Sequence, residues 1–116
     1  MSNKFPFIVE TLLEQCGGSS DIACIILEEF LVQVSEDINE IGICIAGGAW
    51  QQVGKVGHRL KGSAGVVGAE KMRLLCIDIE TAGKRENAEE VSKIYGELQA
   101  EAARCVAAVP EARGKL

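Results

Sequence analysis

VGKVGHRLKGSAGVVGAEK, residues 53–71, holds the only histidine of a 116-residue chain, and its reading sets the rest. From Trp50 onward the apolar or small positions Trp50, Val53, Gly57, Leu60, Ala64 and Val67 step by three or four. That spacing buries one stripe of a helix. The same stretch contains Gly54, Gly57, Gly62 and Gly65. Each interior glycine costs about 1 kcal/mol relative to alanine, so the helix carries roughly 4 kcal/mol of avoidable penalty. Gly54, Gly62 and Gly65 share a face with His58. Helical side chains lean toward the N-terminus, so one at 62 would lie over the imidazole, while His58 itself leans toward Gly54. The glycines read as clearing space around one exposed ring. Lys61 leans back toward that ring, and Lys55 and Arg59 make the patch basic.

The chain on either side reads as more helices. Pro6 suits the first turn of a short helix carrying Phe7, Ile8, Leu12 and Leu13, which Gly17-Gly18 ends. Ser19, Ser20 and Asp21 offer an N-cap for a helix over roughly Asp21 to Ala46, about 40 Å long. Its seam reads as Phe30, Val34, Ile38, Ile41 and Ile45. Gly47-Gly48 breaks it, the His58 helix follows to about Gly68, and a fourth runs from about Ala69 to Gly83 on Met72, Leu75, Ile79 and Ala82. Asn87 with Glu90 reads as a capping box for a last helix on Val91, Tyr95, Leu98, Ala102, Cys105 and Val109. Pro110 lies just past that helix, and the tail from about residue 110 is expected to fray. No stretch alternates with period two, so no sheet is expected. The fold class is all-α: one domain over residues 1–116, an antiparallel up-down four-helix bundle with a short additional N-terminal helix.

Composition excludes several function classes. A net charge of −5 argues against general nucleic-acid binding, which needs basic side chains over a wide face. No apolar run reaches membrane-spanning length, and a cytoplasmic monomer is expected. The five cysteines are odd in number, form no Cys-x-x-Cys pair and read as reduced thiols packed as small hydrophobes, with no metal site.

On a helical wheel His58 lies roughly 130° from the centre of its own seam, which puts it at the rim of the bundle. An antiparallel partner turned at Gly68 brings position 78 or thereabouts level with it. Asp78 and Glu80 are both near that level but flank their seam on opposite sides, and Glu80 lies on the side that meets His58. Acyl transfer would need a nucleophile facing the histidine, and Ser63 cannot face it. Lys-Gly-Ser lacks the glycine order and the strand of a P-loop. A neutral imidazole with an ammonium alongside fits reversible phosphoryl capture, the nitrogen attacking phosphorus and the cation stabilising the equatorial oxygens.

HRLKGSAGVVGA, residues 58–69, resembles the signature of histidine-containing phosphotransfer (HPt) domains, in which His-x-Leu-Lys-Gly-Ser precedes a glycine about ten residues on. LLEQCGGSSDIACIILEEFL, residues 12–31, is similar to the family's opening segment, and LCIDIETAGKR, residues 75–85, to its following helix. The resemblance implies a phosphocarrier with no cofactor of its own, not an enzyme. His58 would take a phosphoryl group from a receiver-domain aspartate, or from a sensor or hybrid histidine kinase, and pass it to a response-regulator receiver that supplies Mg²⁺. It implies phosphate orientation for Lys61 and access for Gly62. Glu80 falls where the family commonly has Gln; a carboxylate also occurs there in chemotaxis kinases, where it orients the imidazole. Ile8, Leu12, the start of the second helix, Lys55, Arg59, Gly65 and Lys84 are the expected docking surface. Two other functions compete: a helical adaptor, and a pseudo-phosphotransfer domain that binds signalling proteins without phosphorylation.

Overall fold

The computed structural model describes residues 4–116, which form five helices and, among the described residues, no strand. They are α1 (Val9–Gln15), α2 (Ser20–Ala46), α3 (Trp50–Val66), α4 (Glu70–Lys84) and α5 (Ala88–Gly114). α2 packs on α3, α3 on α4, α4 on α5 and α5 back on α2, while α1 touches α2 and α3. The all-helical class is the one the sequence pattern implies. Among the described residues no helix is long and apolar enough to cross a membrane.

Local chemistry sets the helix ends. The Ser19 hydroxyl accepts from Ile22 N at 3.2 Å and the Asn87 side chain from Glu90 N at 3.1 Å, caps worth about 1 kcal/mol each. Gly17, Gly18, Gly48 and Gly68 adopt positive φ in the turns. Gly68 is required twice over. Its φ is +69°, and a Cβ there would stand 2.6 Å from the carbonyl oxygen of Ile8, whose N–H donates to Gly68 O at 2.9 Å. That bond straps the segment before α1 across the α3–α4 turn. Phe7, packed edge-on against Phe30 at 5.9 Å, anchors the strap in the core.

Four sequence expectations change. α1 starts at Val9, so Pro6, Phe7 and Ile8 precede it; the strap to Gly68 uses the Ile8 N–H and keeps that stretch out of the helix. Leu12, expected on the docking surface, is 1% exposed, because α1 turns that side onto the core. The buried stripe of α2 is Phe30, Val34, Asp37, Ile41 and Cys44, with Ile38 and Ile45 only half-buried at its edge. Finally, α5 continues through Pro110 to Gly114, past the point where the helix was expected to end. Pro110 forfeits its N–H bond on an exposed face, while Val109 and Ala112 remain buried and hold the last turns down.

Candidate functional site

α3 buries Val53, Val56, Leu60 and Ala64, which leaves His58 at the rim with 66% of its side chain exposed. The helix lies closest to α4 at its N-terminal half, where glycines face each other. A Cβ on Gly57 would stand 2.9 Å from Ile79 Cγ2, and one on Gly83 would stand 2.8 Å from Trp50 O and 2.9 Å from Gly54 N. A Cβ on Gly54 would meet Glu80 O at 3.3 Å. Gly54 therefore serves the approach of α4 instead of clearing space for the ring, and Gly57 lies in the buried seam where its spacing puts it. Only a larger residue's absence at these positions lets two backbones come so near. Gly62 is different: it is exposed, and a Cβ there meets nothing within 4 Å.

The close approach sets Glu80 level with His58. Glu80 is 9% exposed, and its Oε2 lies 3.1 Å from His58 Nδ1. A carboxylate only accepts, so Nδ1 meets it as a donor. Lys61 Nζ donates to Oε1 at 3.0 Å and Lys84 Nζ to Oε2 at 3.0 Å. Burial alone would raise the Glu80 carboxyl, but hydrogen bonds from Lys84 and Lys61, with their charges, hold it down to about 2. Glu80 is thus a carboxylate under all ordinary conditions. Asp78 is exposed on the other side of α4, in a groove with Thr81, Arg85, Asn87 and Glu90.

The other expected surface residues divide. Lys55 is exposed and takes part in no ion pair among the described residues, and Ile8 is exposed. Gly65 is half-buried beside Arg73. Arg59 points away from His58, toward α2. Its Nε and Nη2 donate to Asp37 Oδ1 at 3.1 and 2.6 Å, and Nη2 also donates to Glu40 Oε1 at 2.7 Å. Hydrogen bonds to Asp37 and Glu40 push the guanidinium's pKa up further, and that to Arg59 pulls Glu40 down. Its charge is spent inside the protein.

Asp37 itself is 0% exposed and was missed by sequence reasoning. An acid on the buried face of α2 needs a cation close by, and that demand was the available signal. All five cysteines are free thiols. Burial pushes Cys76 and Cys105 up to about 12, which leaves them protonated and inert. No cluster of His, Cys, Asp and Glu among the described residues is arranged to hold a metal ion.

The chain as a whole has counterparts among known proteins. The Hpt domain family model matches residues 25–108. The chain belongs to the Hpt domain family. Hpt domains are phosphocarrier modules of phosphorelays rather than enzymes. Two solved structures share the fold. Histidine-containing phosphotransfer protein B from Pseudomonas aeruginosa PAO1 superposes with a TM-score of 0.87 at 16% identity, covering 99% of each chain. The Hpt domain of an Hpt sensor hybrid histidine kinase from Shewanella gives 0.81 at 23% identity over 97% of each chain. No curated protein matches this Hpt chain significantly in sequence.

Proposed function

We propose that this Hpt chain relays phosphoryl groups through His58 Nε2, on an antiparallel four-helix bundle that acts as one domain and as a cytoplasmic monomer. The carrying observation is the Nδ1 contact to Glu80, which leaves Nε2 as the ring nitrogen with a lone pair, on a side chain two-thirds exposed to solvent. In the forward step the Nε2 pair forms the N–P bond as the P–O bond to a receiver aspartate breaks, the electron pair leaving with the aspartate carboxylate. The Nδ1 proton stays in place on its bond to Glu80. Lys61, 3.0 Å from Glu80, lies one helical turn from the ring and orients the phosphoryl oxygens. Gly62 keeps the approach to the ring open. The chain needs no metal or cofactor of its own in this scheme; the receiver brings Mg²⁺ with its acidic pocket. Lys55, Ile8 and Gly65 remain as docking residues, where opposite charge would serve encounter rate more than affinity.

Incubation with a phosphorylated receiver tests the reading. It requires label on this chain that is lost in acid and retained in base, as phosphoramidates are. Absence of such label, or label that survives acid, overturns it.

A further inference from the structure

Lys84 was expected on the docking surface, yet its ammonium is engaged by Glu80. It sits one helical turn beyond Glu80, and its Nζ shares Oε2 with the imidazole: 3.0 Å from the lysine, 3.1 Å from His58 Nδ1. The stem reaches that position by running over Gly54, where a Cβ would stand 3.5 Å from Lys84 Cγ. Its carbonyl is held in turn by Gln51 Nε2 at 3.3 Å. Lys61 holds the opposite oxygen, Oε1, so each oxygen of the carboxylate has its own ammonium. Two cations on opposite sides fix the plane of a carboxylate that is otherwise free to turn about its terminal torsion.

We propose that Lys84 is a positioning residue for phosphoryl transfer, holding Glu80 so that Oε2 meets the Nδ1 proton and Nε2 faces the incoming phosphorus. This inference rests on the phosphorelay reading above. Without Lys84 the carboxylate follows Lys61 alone, and Oε2 leaves the ring. The imidazole proton then moves more often to Nε2, and a protonated nitrogen has no pair with which to form the N–P bond. The fold is expected to persist: Lys84 is 63% exposed in its side chain, and without it Glu80 keeps the Lys61 ammonium on Oε1, so the buried carboxylate is not stranded.

The test uses the full chain as Lys84→Met and Lys84→Arg. Because the protein has one histidine, ring-nitrogen NMR reads its tautomers without overlap. Phosphoryl uptake from a labelled receiver is followed in parallel over a range of receiver concentrations. The expected result for Lys84→Met is a smaller Nδ1–H population and uptake slowed about fivefold at saturating receiver, the size of one lost hydrogen bond. Melting should be unchanged, and Lys84→Arg should restore both readouts. An unchanged tautomer ratio in Lys84→Met overturns the inference. So does a loss confined to low receiver concentration, which would return Lys84 to docking. Failure of the broader reading looks different, since the wild-type chain would then take up no label at all.

Discussion

His58 and Arg59 are neighbours in sequence, and each is met by a carboxylate from a different helix. Glu80 comes from α4 and Asp37 from α2. Asp37 is closed off: its Oδ1 accepts from Gln33 at 2.9 Å and twice from Arg59, while Oδ2 is buried with no partner. Glu80 is nearly buried too, but its partners reach solvent: its two oxygens are divided among an exposed imidazole and two ammoniums. The guanidinium is planar, permanently charged and shared between Asp37 and Glu40, both on α2, so it ties α2 to α3. Ammoniums are point charges on flexible stems. In the proposed relay, the Glu80 cluster would pass a cation to an arriving phosphoryl group without disturbing the core. Similar ion pairs one residue apart on α3 thus divide into a fastener and a working site.

Mutations should separate the two. The largest effect is expected from His58→Gln, which removes label uptake entirely yet leaves helicity and melting close to wild type, because the ring is mostly exposed. Labelling that persists in this variant would place the acceptor elsewhere. Arg59→Met should do the reverse. It strands a fully buried carboxylate with only Gln33, so urea unfolding should show a loss of about 3 kcal/mol, with uptake per folded molecule retained. If Arg59→Met left stability intact but stopped uptake, the division drawn here would be inverted.

Glycine substitutions sharpen the contrast further. Gly83→Ala places a Cβ against backbone atoms of Trp50 and Gly54, which cannot rotate away, and should cost about 1–2 kcal/mol despite the gain in helix propensity. Gly62→Ala meets open space and should stabilise the fold by up to ~1 kcal/mol, whereas Gly62→Gln should keep the fold and slow transfer by covering the ring. Equal rates for Gly62→Gln and wild type would remove the access role.

The smallest effect concerns acid. The Glu80 carboxyl is held down to about 2 in the fold against 4.5 as its ordinary value. A depressed carboxyl stabilises the folded state above the unfolded value and loses that stabilisation as pH falls toward the folded one. The stability difference between wild type and Glu80→Gln should accordingly be constant from neutral pH down to about 4.5 and fade between 4.5 and about 2. Denaturant titrations at several pH values would read this directly, and a difference that persists at pH 2 would show that the lysines do not hold Glu80 ionised.

Much of this was legible in residue order. Helix stripes, the caps at Ser19 and Asn87, the rim position of His58 and the choice of Glu80 over Asp78 as its neighbour all follow from periodicity and the sense of an antiparallel pair. Asp37 was not legible because Ile38 and Ile45 offered an equally regular stripe one residue along, and only the packed structure chooses between them. The role of Gly54 was not legible for a related reason. A glycine looks the same in sequence whether it admits a ligand or a second backbone, and only the atoms opposite it decide. The path through Pro110 depends on burial on both sides of one turn, at Val109 and Ala112, which local rules do not weigh.

The single tryptophan stands at the first turn of α3, half-buried, with its carbonyl oxygen at the tightest point of the α3–α4 crossing. Its indole is thus a built-in optical gauge of that crossing. The indole packs partly against the core, so an event that pries the two helices apart, such as a substitution at Gly83, should change its emission. The protein can report the integrity of its own working surface without a label.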